Sequence, residues 1–457
     1  MAWLEKKQST SEFLTNTYST FSPSLFMNFR EDFLQLVWKY QYFDRKELKT
    51  LDGQSVQILN VGFHNQGEGP DFRDSTVVLD GLTLHGHVEV HRFASEWKQH
   101  AHGGDPAYNS VILHVVWEND REVFRNDGTR MPTLELKGRI FLEVWRNYEQ
   151  LLDFKSDLPC AHALHAVPEI IRFSALEKAL VERLQEKSDQ ILEVLNRTKG
   201  DWEETAYRWL FTCFGFKINS RPMGELAALI PYRTLQKHRT QVSALEAMLL
   251  GQAGLLPEKS AEPYAQHLIR EYDFYQKKFN WNQQLSRQHW TFMGARPTNF
   301  PTLRIAQLAA ILSQAPNLLQ AVMEDSREFS GFKKLLQVKP SDYWQFHYNF
   351  GKPTEKTASR GISGQTLELL IINFVIPLWF AYGRYFEQPE WQERCFDLMQ
   401  TIPAENNFII RKFAERGWKT ENSFDSQGMI GLFRGFCQLQ KCLSCKVGQS
   451  LLKRTSK

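Results

Sequence analysis

Gly67-Glu68-Gly69-Pro70-Asp71-Phe72, Gly86-His87-Val88-Glu89-Val90-His91, Trp97-Lys98-Gln99-His100-Ala101-His102 and the apolar run Val111–Val116, with His114 inside it, all fall within residues 67–116. Together these four pieces hold three acids, five histidines and a tight Gly-Pro turn. No other stretch of the chain is as dense in groups able to hold a metal or move a proton. The segment reads as an active site or the remains of one.

Around it the pattern is that of strands. Asp74–Leu79 and Leu82–His91 flank Asp80-Gly81, a hairpin-type turn. Ser95 is placed to cap a short helix carrying Trp97. Val111–Trp117 is almost wholly apolar, as a central strand buried on both faces would be, and Asn126-Asp127-Gly128 turns a last hairpin. Upstream, Phe33, Leu34, Val37, Trp38, Tyr40 and Phe43 recur at helical spacing, which predicts a helix over 28–43. Leu51-Asp52-Gly53 is a turn, and Val56–Val61 alternates like a strand. The order helix, strand, strand, strand, short helix, strand is that of a small mixed α/β domain, set at 28–150 behind a flexible extension at 1–27.

After Pro159-Cys160 the texture becomes helical. Phe173–Leu195, Thr205–Phe214, Val242–Leu250, Leu303–Leu312 and Leu367–Trp379 space their apolar residues by three and four. This gives a helical domain over 151–435 and a basic, cysteine-containing tail over 436–457 that packs back on the body. The fold class expected is α+β. Length agrees, since 457 residues exceed one ordinary core.

Composition bounds the partners. Hydrophobic content of 42% and charged content of 23% are those of a soluble globular chain. A net charge of +3 gives no global field for nucleic acid, so such a partner needs a local patch. The polar first residues lack the apolar run of a signal peptide. Leu367–Tyr382 contains Glu368, Asn373 and Pro377, is short for a membrane span and reads as a buried helix. A cytoplasmic location with reduced cysteines and no membrane partner is the expectation.

The candidate chemistry follows from spacing. Asp71 comes just before one strand, and Glu89 lies in the next. His91, two positions on, points to the same face as Glu89. Two carboxylates held close repel each other, and a hard divalent cation such as magnesium or manganese relieves the repulsion. Such a cation polarises a phosphoryl oxygen and lowers the pKa of a bound water. His100 and His102, with Asp105, form a second group able to assist catalysis or to bind zinc. His114, inside its apolar run, is expected to be a hydrogen-bonded core histidine.

Gly69-Pro70-Asp71 followed by Glu89-Val90-His91 resembles the motif of the PD-(D/E)XK nuclease superfamily, and the element order is similar to that of its core. The resemblance implies a magnesium-dependent nuclease acting on DNA or RNA. In it Asp71 and Glu89 would be metal ligands, the Val90 carbonyl a further one, and Glu68 the extra acid of some members. His91 departs from the pattern, which places lysine there. This leaves open an inactive nucleic-acid or protein-binding module of the same fold, or a zinc-dependent hydrolase using the histidines. The whole chain also resembles a bacterial family grouped as a domain of unknown function, on Gly69–Phe72, Val88–His91, Tyr108–Val116, Arg296–Pro301 and the cysteines near its end.

Those cysteines, Cys437, Cys442 and Cys445, have the spacing C-x4-C-x2-C. Three thiolates need a fourth to wrap a zinc ion or an iron–sulfur cluster, and Cys160 is the best candidate. Cys213 and Cys395 sit in apolar helical contexts, as packed core thiols do. In the helical half, Pro301 suits a first helical turn. Arg296 and Arg304 face either a phosphate backbone or neighbouring acids. Trp344, Phe346, Tyr348 and Phe350 alternate as in an apolar strand or a core-facing loop.

Overall fold

The structure is a computed structural model that describes residues 29–65, 67–100, 105–152, 157–323, 329–355 and 360–453. The chain divides into two units, one comprising residues up to 174 together with 435–457, the other 175–434.

The first unit opens with helix α1, Glu31–Tyr40. Phe33, Leu34, Leu36, Val37 and Trp38 make its buried stripe, while Glu31 and Asp32 sit in the first turn, where the helix dipole favours acids. It ends at Gln41, in the left-handed region at φ 52°, whose N–H returns to Trp38 O at 3.1 Å. The sheet follows, with β1 Val56–Asn60, β2 Phe63–His64, β3 Phe72–Leu79, β4 Leu82–Phe93, β5 Val111–Glu118 and β6 Thr133–Glu135. Its order is β1-β3-β4-β5-β6, with β2 also on β3. β3 and β4 form an antiparallel hairpin through Asp80 (φ 45°) and Gly81 (φ 83°), the positive pair that a tight hairpin turn requires. β4 and β5 are parallel, joined through the short helix α2, Glu96–Gln99.

One face of the sheet is covered by α1 and by α3, Leu142–Leu152. Phe33 stacks on Tyr148 at 4.1 Å between ring centroids, and Trp145 meets Phe29 and Trp117 edge-on at 5.2 Å each. Each of these buried rings contributes about 2–3 kcal/mol of burial energy. The other face packs Ala94, Trp97, Val111, Val116, Val123 and Met131. Ser95 does not cap α2, as the sequence suggests. Its N–H donates to Asp120 Oδ1 at 2.8 Å, and Glu96 gathers the N–H groups of Arg92 and Phe93 instead.

The second unit is helical. It is built on a long helix, Glu169–Arg197, which begins in the first unit, and on a large core that includes Phe211, Trp344, Phe374 and Trp379. Two of its helices, Pro263–Phe279 and Glu390–Thr401, bury a narrow stripe, Ala265, Leu268, Tyr272 and Tyr275 in the first and Cys395, Leu398 and Met399 in the second. The helical run Gly364–Tyr385 is long and apolar enough to cross a membrane, and 72% of its apolar window lies buried inside the protein. It widens to a π-turn at Ile371–Val375. Pro377 has no N–H to give the Asn373 carbonyl four residues back. Trp209 Nε1 and Cys213 Sγ occupy that oxygen, each at 3.2 Å.

Arg304 does not face solvent. It is 3% exposed, bonds Gln307 and Asn299, and lies over the Phe216 ring at 4.8 Å. The alternating aromatics after Ser341 form a short 3-10 turn, Asp342–Gln345, that buries Trp344.

Gly86 carries the register of β4. A Cβ there would overlap the Ser110 carbonyl oxygen and the Ile112 methyl on the strand that follows. Gly86→Val is expected to destabilise the protein by about 2–3 kcal/mol, read as a lowered urea midpoint with an unchanged slope.

Candidate functional site

The Gly-Pro turn before β3 is a fixed structure. Asn65 Nδ2 donates to the carbonyls of Glu68 (2.9 Å) and Pro70 (3.1 Å), its Oδ1 accepts from Gly67 N–H (3.1 Å), and Arg73 Nη2 donates to Glu68 O (2.7 Å). The turn delivers Asp71 to the mouth of β3. Because Phe72 pairs with Val88, Asp71 stands opposite Glu89. The two close a reciprocal clasp: Asp71 N–H donates to Glu89 Oε2 at 3.0 Å, and Val90 N–H donates to Asp71 Oδ2 at 3.1 Å. From α1, Gln35 Nε2 reaches Asp71 Oδ1 at 2.9 Å and Glu31 Oε1 at 3.4 Å.

On β5, His114 pairs with Glu89, so in a parallel pair the two side chains share a face. His91, two residues on from Glu89, joins them. Its Nδ1 is 2.9 Å from His114 Nε2, and its Nε2 is 3.5 Å from Glu89 Oε1. One proton lies between the facing imidazole nitrogens, so the pair is a donor and an acceptor whose roles exchange with tautomer. The exposed His100 sets its ring 5.1 Å from that of His91, and Trp97 covers His114 at 5.2 Å.

The electrostatics are set by burial first and by neighbouring acids second. Burial pushes the Glu89 carboxyl up to about 7, against the opposing pull of the Asp71 N–H. Glu31 also rises to about 7, through burial first and then the charges of Asp71 and Glu96. Burial and the charges of Glu89 and Asp71 carry the Tyr108 phenol up to about 12. Glu96 is otherwise engaged, accepting from the backbone N–H groups of Arg92 and Phe93 and from Arg92 Nη2 at 3.2 Å. Among the described residues no three His, Cys, Asp or Glu already stand in the arrangement a metal ion requires. Carboxylate oxygens are the donors that a hard divalent cation takes.

The structure brings Asp71, Glu89 and His91 together, with His100 beside them. Glu68 is exposed on the turn, and its carbonyl braces Asn65 and Arg73. His102 lies outside the described residues. His114 is fully buried, as a core histidine would be, yet its partner is His91. Glu31 and Gln35 escape sequence reasoning because α1 is recognised by its apolar stripe. The signal available is their spacing of four on the opposite, polar side.

A carboxyl whose pKa rises on folding holds its proton more tightly in the native chain. Its native advantage is present at low pH and is lost as pH climbs from about 4.5 to about 7. In chelator, the melting temperature is therefore expected to fall over that range. Glu89 would contribute on the order of 2–3 kcal/mol, and the more exposed Glu31 less. Glu89→Gln should flatten the profile, and a melting temperature that rises with pH would contradict the raised carboxyls that burial produces.

No curated protein and no solved structure matches the chain. A family profile described as "Protein of unknown function (DUF2851)" matches residues 31–408, from the first residue of α1 through the whole sheet and most of the helical unit. The clustered acids and the scaffold that holds them thus lie within one family's boundaries, and the chain belongs to the DUF2851 family.

Proposed function

We propose that the site is built for cation-dependent hydrolysis of a phosphodiester, with DNA or RNA as substrate. The observation that carries this is the convergence of Glu31, Asp71 and Glu89, from a helix, a turn and a strand, on one place where burial and the neighbouring acids push the Glu31 carboxyl up. The PD-(D/E)XK resemblance supports it, since the acid at the mouth of a hairpin and the Glu-x-His on its second strand precede a short helix and a parallel strand.

Each residue then has a part. Asp71 and Glu89 would hold magnesium or manganese, with Glu31 as the third acid. That cation would neutralise phosphoryl charge and lower the pKa of an attacking water. Glu31, Gln35 and Asp71 are half-buried and make the face a phosphate meets, while Glu89 and His91 stand behind them at 4% and 1% exposure. Gln35 orients Asp71. His91 takes the place of the lysine and accepts or returns a proton through His114. The zinc-hydrolase alternative relies on His102, which lies outside the described residues.

One observation favours a second reading. Both Asp71 oxygens and one Glu89 oxygen already accept N–H groups, as in a scaffold that binds nucleic acid without cleaving it.

Purified protein incubated with single- and double-stranded DNA and with RNA separates the two. Cleavage should require magnesium or manganese and fall by more than ~100-fold, about 3 kcal/mol of barrier, in Asp71→Asn and in Glu89→Gln, both checked for an unchanged fold. Cleavage that survives both substitutions sinks the hydrolytic reading. Binding without cleavage on every substrate supports the second.

A further inference from the structure

None of the six cysteines is in a disulfide, and the fold sorts them into two kinds. Cys213 and Cys395 belong to the helical unit, and each donates to a backbone carbonyl, Cys213 to Asn373 at 3.2 Å and Cys395 to Ile376 at 3.3 Å. These are packed core thiols. Cys160, Cys437, Cys442 and Cys445 all belong to the sheet-bearing unit. They form a cluster in which every one of the six thiol pairs is close enough for one sulfur's charge to act on the other.

The backbone is shaped to make this cluster. Gln440, at φ 54°, reverses the chain, with its N–H on Cys437 O at 3.1 Å and Lys441 N–H on Phe436 O at 2.9 Å. A second turn closes from Cys445 N–H to Cys442 O at 3.2 Å. The helix Lys446–Leu452 presses so close that a Cβ on Gly448 would overlap the Cys442 carbonyl oxygen. Cys160 enters from a separate turn, closed by Ala163 N–H on its carbonyl at 3.1 Å. Cys160 and Cys445 are buried, and Cys437 and Cys442 are half-buried.

Four thiols gathered from two remote segments are not what packing asks for, since any small apolar side chain fills such a space. What requires four sulfurs is a soft metal in tetrahedral coordination. We propose that Cys160, Cys437, Cys442 and Cys445 are the four thiolate ligands of a metal centre, zinc or an iron–sulfur cluster, that clamps residues 435–453 to the earlier segment of the sheet-bearing unit.

Burial pushes the Cys160 thiol up to about 12 and the Cys442 thiol up to about 11, with the neighbouring sulfurs adding to it. Metal binding opposes both effects and releases the thiol protons to solvent. Closing the shell calls for side-chain rotation at the four cysteines, because no three of them yet stand at ligand spacing. The centre bears on the carboxylate site as well. The turn Cys442–Ser444 packs against α1, and Tyr40 Oη at the end of α1 donates to Gln449 Oε1 at 3.1 Å. The clamp therefore braces the helix that supplies Glu31 and Gln35.

The test is elemental analysis, acid-labile sulfide and visible absorption on the full chain purified without oxygen. The expected result is about one zinc per chain, or iron with matching sulfide and a broad sulfur-to-iron band. Either outcome upholds the four-thiolate centre and names its occupant. Cys160→Ser and Cys442→Ser should lose the metal, while Cys213→Ser, Cys395→Ser and Asp71→Asn keep it. If the first two fail to fold, cobalt(II) added to chelator-stripped wild type should give the intense bands of tetrahedral thiolate. Metal that persists in Cys160→Ser and Cys442→Ser overturns the proposal. So does a wild-type chain with no metal, no cobalt band and six titratable thiols.

Discussion

The site depends on a clasp between two strands. Asp71 gives its N–H to the Glu89 carboxylate and takes the N–H of Val90 in return. An acid opposite an acid in an antiparallel pair is repulsive, and the backbone donors make the arrangement tolerable. Everything else in the site takes its position from that pair. Gln35 bonds to Asp71, His91 lies on the Glu89 side of β4, and His114 enters because parallel pairing sets β5 in register with Glu89.

The clasp does not remove the charge. N–H groups stabilise a carboxylate only partly, and burial works against them. Glu89 and Glu31 are left holding protons near neutral pH. Sites that concentrate acid in this way either share protons or take up a cation. Arg92, on the same strand as Glu89, is engaged with Glu96.

Much of this is legible in the sequence, for physical reasons. Alternation on β3 and β4, with Asp80-Gly81 between them, fixes the hairpin, but that register alone would set Asp71 opposite Val90. The irregularity between Phe72 and Ser75, where Asp74 takes φ 56°, shifts the pairing by one and brings Asp71 opposite Glu89. The apolar run of β5 announces a central strand. What stays hidden is whatever depends on packing between elements remote in sequence. Glu31 and Gln35 look like a solvated helix face until α1 docks on the sheet. His114 looks like a core residue because it is one, and its second role needs the parallel register. The short strand β6 carries too few residues to leave a pattern.

The sheet-bearing unit is discontinuous: residues 175–434 intervene between its two segments. During synthesis the strands emerge first, but residues 435–457 emerge only after the whole helical unit. Domains generally fold as they leave the ribosome, at ~5–20 residues per second. The sides of α1 and α3 that receive this segment must therefore wait many seconds without their partner, exposed to chaperones and to other chains. Closing so long a loop has an entropic cost that grows only slowly with length. The penalty of this architecture therefore falls on the time to maturity more than on final stability.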